Sequence, residues 1–538
     1  MIGKGTPSGE IYNPALAQKP LSSALIYTKQ FVRYWDDFIT DNVNQIFYCI
    51  VSNSDGHWRL EQDLLNAMAN TGMTSPFPWF GGTGSSDDFD ISAHGILFAA
   101  RDPEISPVHN TLVSIYYVPL SLNGATGHRK PAVIQVSNLN GVANCPLFSA
   151  DGKQAVFLQT VYEEMDKYRV VLVPDVQNSL DAIEIFATAD GKGAWDLSPT
   201  GIACWNGNGK EVYVTAEDRG INKIFKLSLA DPTLPKALSV QGSVSNAGIC
   251  GHGKDLTLLV TSFAFIENSI WTLVSSLGSK VLSENLSHLQ KYNISQSQIS
   301  EIKFEGANSD LVHGFVIRPS TYSSTSNKRF PLALVIHGGP EQSWLNAWST
   351  RWNPLCLAEA GYIVVAPNFH GSTGYGEAFT ASVRGNWGGL PFHDLENCFE
   401  YVQKTMPEVD TDRAVALGGS YGGWMTAWIQ GQPFAKKFKA FFCHDGQVSN
   451  ASELGTDDLS GSVCSWKGAH WENRELIDKY DPARYAENWS VPMLVVHGKN
   501  DFRVPVEEGL GIFGILQYKK IPSKLIIFPD EVIVLECG

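Results

Sequence analysis

The run Gly418-Gly419-Ser420-Tyr421-Gly422-Gly423 sets one serine between glycines two positions away on either side, the Gly-x-Ser-x-Gly pattern of a nucleophile elbow. A serine hydroxyl is a weak nucleophile at neutral pH, so it attacks a carbonyl only where a base takes its proton and an acid orients that base. The elbow presents the serine on a sharp strand-to-helix turn, and glycines flank it because a Cβ would collide with the adjacent strand and helix. Both flanks have the required pattern. Arg413-Ala-Val-Ala-Leu-Gly418 is a short apolar run of strand type, and Trp424-Met-Thr-Ala-Trp-Ile429 reads as a helix that Pro433 ends.

The partners of such a serine follow it along the chain in the order Asp, then His, in α/β-hydrolases. Asp501 is the natural acid: it lies in His497-Gly-Lys-Asn-Asp501-Phe-Arg-Val-Pro505, just after the apolar run ending at Val496, and should emerge at the sheet edge that carries Ser420. Negative charge developing on the attacked oxygen needs backbone donors. The N–H of Tyr421 is one, and the loop His337-Gly338-Gly339-Pro340 can bring a second. His497, His444 and His370 all stand near strand ends. To act as the base, each would have to reach Ser420 Oγ within about 3 Å while also meeting Asp501, and an isolated histidine at a strand end is more often a packing residue.

Two different patterns must build the scaffold. Up to about residue 285 a glycine turn leads repeatedly into an apolar strand, at Gly95, Gly152, Gly209 and Gly253, with steps of 57, 57 and 44 residues. That spacing, with strand-like runs between and an earlier strand pair near Tyr34 to Val51, fits about five blades of a β-propeller. An irregular β-sandwich is the alternative. After about residue 300, strands alternate with helices. Apolar runs at 332–336, 362–366, 414–417, 440–443, 493–496 and 525–528 suit a parallel sheet covered on both faces. Leu395, Cys398, Phe399 and Val402 recur at the spacing of one helix face. The expected organisation is a partial β-propeller-like domain over 1–290 and an α/β-hydrolase domain over 291–538.

Composition narrows the function classes. A chain of 538 residues exceeds what one hydrophobic core usually serves. With 43% hydrophobic and 18% charged residues it reads as globular, and no apolar run approaches the roughly 18 residues of a membrane helix. A net charge of -15, without a basic cluster or a Walker-type loop, argues against nucleic acid as a partner. The nine cysteines include no Cys-x-x-Cys pair, which argues against a zinc site and against a small disulfide framework, and no cofactor is expected. The chain as written opens without the apolar stretch of a secretory signal. Four Asn-x-Ser sequons, at Asn285, Asn293, Asn450 and Asn488, match what a chain this long reaches by composition. Oligomeric state leaves no trace in these patterns.

The second half resembles the catalytic domain of the prolyl oligopeptidase family of serine peptidases, and most closely its fungal dipeptidyl-peptidase V group. Matching pieces run in collinear order: His337 to Pro340, Trp348-Ser-Thr-Arg-Trp-Asn-Pro354, Gly371-Ser-Thr-Gly-Tyr-Gly376, Asn386-Trp-Gly-Gly389, Gly418 to Gly423, Cys443-His-Asp-Gly446, Tyr480-Asp-Pro-Ala-Arg484, Asp501 to Pro505 and Phe528-Pro-Asp-Glu531. The resemblance implies Ser420 as nucleophile, Asp501 as triad acid, and short peptides as substrates, admitted past a propeller. It also implies a longer propeller and, in secreted members, a signal peptide, so a chain that begins late is expected, with secretion following only if the N-terminus is truncated in this way. Where the family places its catalytic histidine, two residues past the Phe-Pro-Asp-Glu stretch, this chain has Ile533. An alkyl side chain has no lone pair to accept a proton, so the triad is expected to be incomplete and the chain inactive or nearly so, with a shortened or misread C-terminus as the reason. The resemblance leaves acylaminoacyl-peptidase or carboxylesterase activity as alternatives, and a non-catalytic binding role as a third. Release of dipeptides needs a carboxylate to hold the substrate's N-terminal ammonium, for which Glu163 and Glu164 in Val161-Tyr-Glu-Glu-Met-Asp166 are available.

Overall fold

The computed structural model describes residues 2–16, 22–61, 63–76, 85–108, 111–120, 130–162, 166–206, 209–229, 234–250, 257–284, 289, 291–457 and 459–532. Three of the four turn glycines do what their spacing suggests. Gly95 opens the strand Gly95–Ala100, and Gly152 and Gly209 precede the strands Ala155–Gln159 and Glu211–Glu217, so each leads into the second strand of an antiparallel sheet. At Gly152 and Gly209 φ is 68°, a left-handed conformation that glycine adopts at no steric cost. Gly253 lies outside the described residues.

Four sheets follow from this repeat: Phe89–Val133, Gln135–Glu184, Pro199–Ala237 and Ser243–Glu284, the second carrying a fifth, parallel edge strand. A three-stranded sheet of Ile2–Gly5, Val43–Tyr48 and Leu65–Asn66 precedes them. The strand pair expected near Tyr34 to Val51 is redistributed: Val43–Tyr48 pairs with both neighbours in that sheet, while Tyr34 sits in a two-residue hairpin strand. Successive sheets bury their faces against one another, as propeller blades do. Ile46 and Met68 meet Phe98 and Tyr116 in one layer, and Leu97, Ile115 and Tyr117 meet Phe148, Phe157 and Val171 in the next.

Two compact units divide the chain. The first comprises Met1–Trp195, Pro199–Val214 and Leu227–Pro235; the second comprises Asp196–Ser198, Thr215–Lys226 and Lys236–Gly538. The change from antiparallel four-stranded sheets to a mixed sheet falls between Glu284 and Ile299.

That mixed sheet has eight strands: β1 (Ile299–Glu305), β2 (Leu311–Ile317), β3 (Phe330–Ile336), β4 (Ile363–Asn368), β5 (Val409–Gly419), β6 (Phe438–His444), β7 (Met493–Gly498) and β8 (Ser523–Phe528). Their spatial order is β1-β2-β4-β3-β5-β6-β7-β8, antiparallel at the first end and parallel from β4 onward, the arrangement of an α/β hydrolase. All six predicted apolar strands are present. Helix α1 (Leu390–Thr405) buries Leu395, Cys398, Phe399 and Val402, the face that the spacing predicts. Helix α2 (Tyr421–Gln430) is buried at every position, as befits a helix inside a covered sheet, and α3 (Val506–Tyr518) follows the loop of Asp501. Among the described residues no helix is long and apolar enough to cross a membrane.

Leu395 is fully buried in the core that joins α1 to the sheet. Leu395→Ala should therefore destabilise the hydrolase domain by about 2–5 kcal/mol, through lost transfer energy and the cavity left behind. Urea unfolding followed by the fluorescence of buried Trp424, Trp466 and Trp489 would measure it.

Candidate active site

Strand β5 ends at Gly419, and Ser420 takes φ 55° and ψ -120°, a strained conformation for a residue with a side chain. Close packing enforces it. A Cβ on Gly418 would stand 2.3 Å from the backbone of Gly422, and one on Gly422 would stand 2.2 Å from the carbonyl oxygen of Ile336 at the end of β3. The turn is laced to β6 by a hydrogen bond from Ser420 N–H to His444 O (3.0 Å), and the helix begins with Trp424 N–H donating to Ser420 O (2.9 Å). Tyr421 is the first residue of α2, so its N–H lies outside the helical ladder and is available to a ligand. Ser420 itself is half-buried, and no described residue hydrogen-bonds its Oγ.

The loop after β3 closes on the serine. A Cβ on Gly338 would come within 3.3 Å of Ser420 Cβ and 3.9 Å of its Oγ, so the loop passes close against the serine. His337 anchors the loop rather than facing the nucleophile. Its ring stacks on Phe369 at 4.1 Å, and its Nδ1 and Nε2 lie 2.8 Å from Gly338 O and Ser372 Oγ. Burial pushes its pKa down to about 4, so it is neutral at physiological pH.

Asp501 emerges beyond β7, two strands across from β5, at the same C-terminal edge of the parallel sheet. One carboxyl oxygen is fixed: Oδ1 accepts the backbone N–H groups of Arg503 (2.9 Å) and Val504 (2.8 Å). The other, Oδ2, is buried and has no hydrogen-bond partner among the described residues. Desolvation by burial, with the nearby Asp445 carboxylate adding to it, raises the Asp501 pKa well above the usual carboxylate range. Asp445 sits at the end of β6 and ties the strands together, receiving Gly498 N–H on Oδ1 (2.9 Å) while its own N–H donates to Val496 O (2.9 Å). The sequence signal for Asp445 is the Cys443-His-Asp-Gly446 stretch, whose structural role could not be read from residue types alone.

None of the three histidines near strand ends serves Ser420. His497 is fully buried and gives its Nε2–H to Val504 O (2.7 Å), with Nε2 3.9 Å from Asp501 Oδ2. His444 packs against Trp352 and places Nε2 2.9 Å from Asp445 Oδ2. His370 is held between Asp394 (2.7 Å) and Asp310 (3.1 Å). Asp445, His497 and Asp501 present ligand-type atoms within 4.8 Å of one another, but the histidine nitrogen facing the acids is already engaged by Val504. Ile533, Glu163 and Glu164 lie outside the described residues. The chain leading to position 533 is described: Glu531 O accepts Asn500 N–H (3.0 Å), and a Cβ on Gly498 would stand 2.6 Å from Val532 O. The segment after β8 therefore returns to the loop that carries Asp501.

The raised Asp501 pKa has a signed consequence. Between the unfolded value near 3.8 and the raised folded value, the native state holds a proton that the unfolded state has lost, so this group's contribution falls as pH rises through that window. Asp501→Asn keeps the acceptor on the side that receives two N–H groups and removes the charge. It should raise the thermal midpoint relative to the parent at pH 7–8, with the gap closing toward pH 4, measured by scanning calorimetry across that range.

Comparison with known proteins adds an independent line. A family model described as the prolyl oligopeptidase family matches residues 348–532. The chain is 36% identical to dipeptidyl-peptidase 5 of Arthroderma otae over 547 residues, covering 98% of this chain and 72% of the relative, and 34% identical over the same shares to a probable dipeptidyl-peptidase 5 of Arthroderma benhamiae. Among solved structures, an acylaminoacyl peptidase of Pyrococcus horikoshii superposes with a TM-score of 0.72 at 17% identity, covering 96% of this chain and 74% of that one. Dipeptidyl peptidase 4 of Porphyromonas gingivalis superposes at 0.61 and 15% identity, covering 83% and 60%.

Proposed function

Because the chain belongs to the prolyl oligopeptidase family of serine peptidases, we propose that its site is laid out to release dipeptides from the free N-termini of short peptides through an acyl-enzyme on Ser420, and that Ile533 leaves this copy with little or no activity. In this reading residues 1–290 form the propeller-like domain and 291–538 the catalytic one. Ser420 Oγ attacks the scissile carbonyl while the N–H groups of Tyr421, Gly338 and Gly339 receive the developing oxyanion. A complete site would hold an imidazole between Asp501 Oδ2 and Ser420 Oγ, taking the serine proton and returning it to the leaving amine.

The observation that carries the proposal is the buried, unpartnered Asp501 Oδ2. A carboxylate so fixed on one side and so bare on the other suits a third group that is missing. A protonated Asp501 would also be a poor partner for an imidazolium. Triad members act as a unit, so loss of the histidine costs about 10^6 in kcat, while about 10^3 over the uncatalysed rate survives through the oxyanion donors and binding.

Dipeptide release is supported by the dipeptidyl-peptidase 5 relatives, and Glu163 and Glu164 remain the candidates for the ammonium anchor. The likeness to an acylaminoacyl peptidase is one of fold, and it keeps N-acylated peptides and esters as the alternative substrates. Ile533 itself favours a second reading, a non-catalytic protein that binds peptides without cutting them.

Ile533→His should restore turnover of a dipeptide amide with a free N-terminus by at least about 10^3-fold over the parent chain. Adding Ser420→Ala should abolish it. Rapid hydrolysis by the parent would refute the inactivity, whereas an inert Ile533→His protein that still binds peptide would favour the binding role. Cleavage of N-acylated peptides in preference to free ones would move the assignment to the acylaminoacyl class.

A further inference from the structure

Outside the triad, the half-hidden carboxylate of Glu217 is the group whose partners converge most closely on the nucleophile's surroundings. It lies at the end of strand Glu211–Glu217, where the chain turns back into Asn222–Ser228, and the hairpin segment Thr215–Lys226 belongs to the second compact unit. Its Oε2 accepts the hydroxyls of Ser343 (3.0 Å) and Thr373. Among the described residues no Lys, Arg or His meets it. Burial pushes its pKa up and the two hydroxyls pull it back.

Those two hydroxyls belong to the ends of two loops already fastened together. The loop after β3 is joined to the loop after β4 at its start by His337 and Ser372 (2.8 Å), and further on by Thr373 N–H donating to Gln342 O (3.2 Å). Asn368 then grips Trp344 on both sides, accepting its N–H (2.7 Å) and donating to its carbonyl (3.0 Å). The hairpin tip adds backbone bonds, Arg219 N–H to Gly374 O (3.0 Å) and Asn346 N–H to Gly220 O (2.7 Å). Gly374 makes room for the carboxylate's stem. At φ 82°, a Cβ there would stand 3.1 Å from Glu217 Cβ.

We propose that Glu217 is a positioning residue for the oxyanion loop: by bridging Ser343 and Thr373 it fixes the backbone of residues 337–343 against Ser420. The proposal rests on the reading of Gly338 and Gly339 as oxyanion donors. Such a donor works only if its N–H is already aimed where charge will develop, and loop displacement of about 1 Å costs on the order of 100-fold. A carboxylate suits the task because one oxygen can accept two hydroxyls at once.

The test compares Glu217→Ala, which removes the acceptor, with Glu217→Gln, which keeps an amide oxygen. Hydrogen exchange on the full chain should show faster exchange over 338–346 in Glu217→Ala, near-parental exchange in Glu217→Gln, and no change around Asp501. In an Ile533→His background, Glu217→Ala should lower kcat about 10- to 100-fold with KM little changed, and Glu217→Gln should recover most of that loss. Unchanged exchange in Glu217→Ala overturns the proposal, as does altered exchange with unaltered kcat. Should the Ile533→His background be inert, the triad reading fails, and exchange alone still decides whether Glu217 holds the loop. Where Glu217→Ala does not fold, Ser343→Ala and Thr373→Val replace it, because each removes one of the two hydroxyls that the carboxylate accepts.

Discussion

One carboxyl group organises the candidate site: Asp501, held by two backbone donors on one oxygen and, among the described residues, without a hydrogen-bond partner on the other. A buried carboxylate without a partner is costly, so it takes up a proton or acquires a donor. With an imidazole in place the charge would be paired and useful. Without one, the shift in Asp501 follows from desolvation and the neighbouring Asp445. The same group thus ties the candidate chemistry to the stability of the domain that carries it.

The sheet makes that dependence possible. Parallel neighbours β5, β6 and β7 end side by side, and Ser420, Asp445 and Asp501 follow them in turn, cross-linked by Ser420 N–H to His444 O and by Asp445 to Val496 and Gly498. Backbone strain at Ser420 persists because Gly418, Gly422 and the end of β3 are packed too tightly for any relaxed alternative. Around this rigid edge, loops from β3 and β4 are tied to each other by His337, Gln342 and Asn368. The hairpin of Glu217 secures their far ends.

Local chemistry explains which features were legible in the sequence. The six apolar strands and the Leu395 face of α1 were readable because a covered parallel sheet demands uninterrupted apolar runs and a helix demands a 3.6-residue stripe. Ser420 and its glycines were readable because the elbow tolerates no other residue types. The blade repeat was readable at Gly152 and Gly209, where the turn needs a left-handed residue. Illegible parts depend on distant segments meeting. Asp445 looks like any aspartate in a glycine turn until the end of β7 closes on it beside β6, and Glu217 looks like a strand-end surface acid until Ser343 and Thr373, more than a hundred residues away, close over it. The short strand near Tyr34 went astray because a few apolar residues fit a hairpin as well as a blade.

In the proposed reading the base would be the least structural member of the site. The elbow's packing fixes the backbone at Ser420, and Asp501 Oδ1 caps the turn that leads into α3, so the fold holds both positions in place irrespective of chemistry. A catalytic histidine on the segment after β8 would contribute chiefly through Asp501 Oδ2 and the serine hydroxyl, neither of which any described core contact requires. In that reading an alkyl side chain in its place would remove proton transfer while leaving the sheet, the elbow and the loop after β3 under the same packing constraints. A site of this design would lose activity at one position far more readily than it would lose shape, because proton transfer and packing rest on different atoms.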